Sequence, residues 1–296
     1  MTEIPVVFDC QGAPLVSIVH RPELRSTTGV LIVVAGGPQY RVGAHRQFVE
    51  LGRRLADSGI AVMRFDHRGT GDSGGDYGGY LDMNEDIRAA TDRFLQEVPE
   101  LSSVALWGEC ESATAAAFYA HHDPRIQGIF MVNPWIRTEA GRAKTYLRHH
   151  YWNRLRDPQF WRKLKSGEFS LRNSLSSLIE LLKSSKRKAP TKGAVVDSTT
   201  TQPLPERFTL GLSQFSGEMV ILTSGRDYIA QEFTDFMQSS GIWKRSGLNR
   251  RIVFSEMTDA DHTFSRAIWR EELFATTERW LQHLPSRAPQ PTRAEP

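Results

Sequence analysis

The segment Gly108-Glu109-Cys110-Glu111-Ser112 places a thiol between an apolar run, "SVALWG" (103–108), and a run of small residues, "ESATAAAFYA" (111–120). A nucleophile with a small residue two positions away on each side fits the G-x-Nuc-x-G turn from strand to helix. Such a turn holds the reactive atom at the C-terminal edge of a sheet. Gly108 and Ser112 allow the two backbones to approach, with Ala113, Ala115, Ala116 and Ala117 behind them. The helix N-terminus directs N–H groups and the positive end of its dipole at the sulfur, which favours thiolate. Ser112 is the rival nucleophile, but "CESAT" lacks the preceding glycine and falls inside the predicted helix, so Cys110 is preferred. A cysteine that only packs would look the same in isolation. The chemistry therefore requires a base and an acid in the right order.

On this kind of turn the acid follows the nucleophile and the histidine follows the acid. Asp227 closes the apolar run "EMVILTSGRD" (218–227), and His262 lies in the loop after the last such run, "RRIVFSEMTDADH" (250–262). Both stand at the C-terminal ends of predicted strands, where open α/β sheets gather their sites. His20, His45, His67, His121, His122, His149, His150 and His283 do not follow an acid-bearing strand in this way. Asp259 and Asp261 are alternatives for the acid; Asp227 is preferred because its loop is expected beside that of His262. An oxyanion hole takes one N–H from the residue after the nucleophile, here Glu111, and one from the loop "AGGPQYRVG" (35–43). Pro38 has no N–H, which leaves Gly37 or, as second choice, Gln39. Glu109 and Glu111 would raise the thiol pKa if both carboxylates pointed inward. At least one is expected to face away or to pair with a basic residue such as Arg41 or Arg68.

The elements that must position these residues follow from the apolar pattern. Runs at 29–37, 60–69, 103–108, 126–135, 218–227 and 250–262 read as strands, most of them separated by helical patterns at 45–59, 86–98 and 229–241. Phe48, Leu51 and Leu55 share one face of the first helix, and "AIWREELFATTERWLQHL" (267–284) is a closing amphipathic helix. This rhythm predicts a doubly wound, mostly parallel α/β sheet. "FDHRGTGDSGG" (65–75) matches neither glycine-rich phosphate-binding pattern; Asp66, Arg68 and Asp72 read as a turn that braces the loops of the site. Residues 1–135 and 207–285 are two parts of one core. Residues 136–206 are a helical, basic insertion after about the sixth strand, ending in a flexible Pro/Thr-rich loop, and 286–296 are a disordered tail.

Fifteen Lys or Arg lie between Arg137 and Lys192 against Glu139, Asp157, Glu168 and Glu180, so this stretch carries +11 and the rest of the chain −8 of a net +3. Such a surface either faces solvent or meets an anionic membrane or acidic partner. The start of the chain lacks a secretory pattern, no apolar run approaches the roughly 18 residues that span a bilayer, and Cys10 and Cys110 form no metal-binding spacing. These features predict a cytoplasmic protein, peripheral at the inner membrane surface if the basic insertion docks there. No metal, cofactor or nucleic acid is expected.

Taken together, "VVAGGPQYRVGAHRQF", "RFDHRGTGDSGG", "LWGECESATAA", "NPWIRTEAGRAKTYL", "SGRDYIAQEF" and "ADHTFS" resemble the α/β-hydrolase superfamily and, more narrowly, the bacterial exosortase A system-associated hydrolase 1 family. The resemblance implies an α/β-hydrolase fold with a helical lid, and a cofactor-independent hydrolase encoded beside exopolysaccharide and protein-sorting genes. It also implies a triad carried by Cys110, Asp227 and His262. The chain departs from the commoner pattern in its cysteine and in Ala35-Gly36 where His-Gly is usual, which directs expectation to esters, lactones or thioesters. The predicted function is an acyl hydrolase acting on a small-molecule acyl substrate. Its rivals are an acyltransferase acting on a polysaccharide precursor and a non-catalytic hydrolase-fold protein that docks through its basic insertion.

Overall fold

The computed structural model describes residues 1–23, 27–34, 40–137 and 202–284. Eight strands form one sheet: β1 Thr2–Cys10, β2 Ala13–Arg21, β3 Thr28–Val33, β4 Val62–Phe65, β5 Ser103–Glu109, β6 Ile126–Val132, β7 Glu218–Ser224 and β8 Ile252–Met257. Their order is β1-β2-β4-β3-β5-β6-β7-β8, with β1 and β2 antiparallel and the pairings from β4 through β8 parallel. Every residue of β5 and β6 is buried, as strands covered on both faces require. That is why their apolar runs are unbroken in the sequence.

Two layers of helix supply the cover. On one face α1 (Gln47–Asp57) and the closing helix, named α7 below (Ala267–His283), bury Phe48, Leu51, Leu55, Leu273, Phe274 and Leu281 against Val30, Ile32, Trp107 and Phe130. Arg54 ties the two helices by ion pairs to Glu271 and, at 3.0 Å, Glu278. The other face carries α2 (Asn84–Glu97), α3 (Glu111–Tyr119), α4 (Leu204–Gln214), α5 (Tyr228–Ser239) and the short α6 (Gly241–Ser246). The α/β-hydrolase fold predicted from the sequence is thus present.

Three elements depart from the sequence reading. The β1–β2 hairpin is absent from the predicted strands; it turns on Gln11 and Gly12, both with positive φ (55° and 83°), the geometry of a tight hairpin. Helix α4 begins within the stretch read as a flexible loop. Its prolines, Pro203 at the cap and Pro205 in the first turn, start a helix where they would break one further along. Phe208 and Leu212, four residues apart, then bury one face of it. Helix α6 places Trp243 against Phe208, Phe233 and Phe236, with its indole N–H donating to Asn249 Oδ1 at 2.7 Å. Residues 138–201, which make up most of the stretch read as the basic lid (136–206), and the stretch read as the tail (286–296) lie outside the described residues. Among the described residues no helix is long and apolar enough to cross a membrane.

Candidate active site

Strand β5 ends at Glu109 and α3 begins at Glu111, so Cys110 alone makes the turn between them. It does so with φ 60° and ψ −122°, a conformation that costs a side-chain-bearing residue roughly 1–3 kcal/mol. Neighbouring backbone holds it there. Cys110 N donates to Val132 O at 2.8 Å, Trp135 N donates to Cys110 O at 3.2 Å, and Thr114 Oγ1 locks Trp135 O at 2.6 Å. A Cβ on Gly108 would lie 2.7–2.8 Å from the carbonyl of Ser112 and the nitrogen of Ala113. Gly108→Ala is therefore expected to lower stability by about 1–3 kcal/mol through overpacking, read as a lower urea midpoint. Ser112 is not available to attack. Buried at 1 % exposure, its hydroxyl donates to Glu109 O and accepts from Glu109 N, each at 2.8 Å, and so staples the turn.

The loops after β7 and β8 bring Asp227 and His262 to the thiol. Asp227 caps α5: Oδ1 accepts from Ile229 N at 3.0 Å and Oδ2 from Ala230 N at 3.2 Å. The same Oδ2 lies 2.7 Å from His262 Nδ1, which leaves Nε2 for the side-chain hydrogen bond between His262 and Cys110. The two alternative acids are engaged elsewhere. Asp259 pairs with Arg226 at 2.7 Å, and Asp261 accepts from Ser265 N at 2.9 Å and bonds its hydroxyl. Glu111, the other predicted oxyanion donor, opens α3, where the first N–H groups have no acceptor within the helix. Gly37 and Gln39 lie outside the described residues.

Burial disfavours the His262 imidazolium, but hydrogen bonds to Asp227 and Cys110 and the charges of Asp227 and Glu109 outweigh it and push His262 up to about 11. Burial pushes the Cys110 thiol up as well, against the pull of His262. The bracing turn is as expected. Asp66, fully buried, accepts from Arg41 N at 2.6 Å and Asp72 N at 3.1 Å and pairs with the Arg41 guanidinium, which reaches Asp72 at 2.6 Å. Arg68 clamps Asp86 at 2.8 Å. Neither arginine therefore pairs with Glu109 or Glu111. Glu109 instead sits buried on Gln47, whose Nε2 donates to its Oε2.

Two residues of the site go unread in the sequence. Asn133, buried with φ 46°, donates through Nδ2 to Ser224 Oγ at 3.0 Å and to His262 O at 3.4 Å, and accepts from Ser224 N at 2.8 Å. It thereby registers the exits of β6, β7 and β8. An Asn at a strand exit tolerates positive φ, and that was the available signal. Gln47 carries no comparable signal, being one polar residue in a helix. Among the described residues no group of three or more His, Cys, Asp or Glu is arranged to hold a metal ion.

A family model described as serine aminopeptidase, S33 matches residues 28–192, more than half the chain. The matched range includes the Cys110 turn and ends before Asp227 and His262. A search of the curated proteins finds no match. Among solved structures, an esterase from Pyrococcus furiosus is 16% identical with a TM-score of 0.61, covering 96% of this chain and 91% of its own. An alpha-beta serine hydrolase homologue from Coxiella burnetii is 16% identical (TM-score 0.58; 95% and 98% covered). An a/b serine hydrolase without lid from Xanthomonas campestris is 15% identical (TM-score 0.56; 97% and 98% covered). At these identities the likeness is one of fold.

Proposed function

The chain belongs to the serine aminopeptidase S33 family of α/β-hydrolases, and we propose that within it this protein is a cofactor-independent acyl hydrolase with Cys110 in the serine's place. The continuous line from Asp227 through His262 to Cys110 carries this reading. Asp227 fixes Nδ1 of His262, so Nε2 faces the sulfur and takes its proton. The thiolate adds to the acyl carbonyl. Glu111 N–H receives the developing oxyanion, with Gly37 as the second donor. Collapse of the adduct breaks the bond to the leaving oxygen or sulfur, and the imidazolium hands that atom its proton. Water then attacks the acyl-thioester, giving its proton to His262; the adduct breaks its bond to the Cys110 sulfur, the imidazolium returns the proton to that sulfur, and the carboxylic acid departs from the regenerated enzyme. A thiolate is itself a good leaving group and is expelled from the adduct more readily than an unprotonated amine. The substrate class is accordingly an ester or thioester. An exopolysaccharide or exosortase setting, and docking of the basic 136–206 insertion on an anionic membrane surface or acidic partner, extend the proposal on sequence grounds alone.

The test is release of p-nitrophenol from a short-chain p-nitrophenyl ester. Cys110→Ala is expected to lower turnover at least about 10³-fold. Equal turnover by both proteins would remove Cys110 from the chemistry.

A further inference from the structure

Glu109 is a buried carboxyl that the proposed reaction does not use. It is 4 % exposed, and its Oε2 accepts from Gln47 Nε2. Its Oε1 and the Oε1 of Gln47 are both buried without a hydrogen-bond partner. Among the described residues no Lys or Arg pairs with it. The groups coupled to it most strongly are Cys110 on its own turn, His262 and Asp261 from the loop after β8, Asp227 from the loop after β7 and, on α1, the neutral Gln47 that bonds it. The one cation in this set is His262. A carboxyl so placed is a poor structural anchor, since a neutral amide would bond Gln47 without the desolvation of a charge.

We infer that Glu109 is a positioning residue whose carboxylate sets the pH window in which the Cys110 thiolate and the His262 imidazolium coexist. The inference rests on the proposed roles of Cys110 and His262. The window has two edges. Its lower edge is loss of the thiol proton, and its upper edge is loss of the imidazolium proton. A neighbouring negative charge opposes both losses, because each makes the site more negative. Glu109 therefore moves both edges to higher pH. A residue that only packed on Gln47 would move neither, and one that disordered the turn would part the Cys110–His262 bond and move them in opposite directions. Burial lifts Glu109 to about 7, with His262 pulling the other way. The charge is thus withdrawn as pH falls below neutrality, and the thiol is then released from its restraint.

The test uses the full-length protein. The lower edge is read from the pH dependence of Cys110 alkylation by iodoacetamide. Peptide mass spectrometry separates this site from Cys10, whose thiol burial pushes up to about 11. The upper edge is read from the alkaline limb of kcat on the p-nitrophenyl ester. Glu109→Gln is expected to move both edges down by about half a unit or more, so that Cys110 at pH 8 is alkylated about threefold faster. If that variant folds poorly, the double variant Glu109→Leu/Gln47→Leu serves: it replaces both bonded partners by apolar groups of similar size, the charge is again gone, and both edges again move down. Edges that stay in place, or move in opposite directions, overturn the inference. They leave the hydrolase reading standing, because that reading is decided by the activity of Cys110→Ala.

Discussion

Asp227→Asn is expected to lower kcat for ester hydrolysis on the order of 10⁴-fold in a protein that remains folded. The side chain has two tasks, and asparagine can do only one. As the cap of α5 it accepts from Ile229 N and Ala230 N, and Asn caps helices about as well as Asp. Once its single oxygen serves the cap, the amide nitrogen is turned toward His262 Nδ1, where Oδ2 now lies at 2.7 Å. A donor there forces Nδ1 to accept, which puts the ring proton on Nε2, facing the thiol. An imidazole in that tautomer cannot take the proton of Cys110. The pH profile should change with it. In the native protein His262 is held up to about 11, so once it has taken the thiol proton it retains it through neutral pH and loses it only as pH rises through that value. Without the carboxylate its pKa falls back toward the ordinary 6.5, and the alkaline limb of activity moves down accordingly. Steady-state kinetics across pH 6–11, with circular dichroism as the folding control, decide the matter. A loss under about tenfold would show that Asp227 does not orient His262.

Trp107→Ala is expected to cost about 3–5 kcal/mol of stability, a large part of the roughly 5–15 kcal/mol that domains possess. Trp107 lies in central strand β5 with no exposed surface. Its ring meets Phe48 edge-on at 5.7 Å and stacks on Phe130 at 6.4 Å. Its indole N–H donates to Thr277 Oγ1 of α7 at 3.2 Å. The substitution leaves a cavity between the sheet and the α1/α7 layer and orphans a polar contact, with no exposed edge through which the site could collapse. Urea unfolding measures it directly: a shift worth less than about 1 kcal/mol would mean that this layer repacks freely.

Trp107 also shows what kind of information a linear chain carries. It sits in an unbroken apolar run because both faces of β5 are covered, and such runs are visible residue by residue. The strands β3 to β7 were legible for that reason, and β8, which is buried only at Ile252 and Met257, from the short run Ile252-Val253-Phe254. So was the order of Cys110, Asp227 and His262, since each sits at a strand exit and exits are read from the ends of the runs. The β1–β2 hairpin was not legible. It lies at the sheet's edge, where five of the nine residues of β1 are exposed and Pro5 and Asp9 weaken the strand signal. Helix α4 was hidden by prolines that mark a loop in most contexts and a helix start in this one.

Local pattern thus determined the architecture of the core and the three residues proposed for the chemistry, because burial and strand exits leave a mark at each position. Partnership was decided only by the tertiary structure. Glu109 rests on Gln47 across 62 residues, Arg41 and Arg68 serve Asp66 and Asp86 instead of the site's acids, and Asn133 joins β6 to the loops of Asp227 and His262. Charge and hydrogen-bonding capacity are properties of a residue, but satisfaction of them depends on distance. Distance between residues remote in the chain exists only once the sheet has closed.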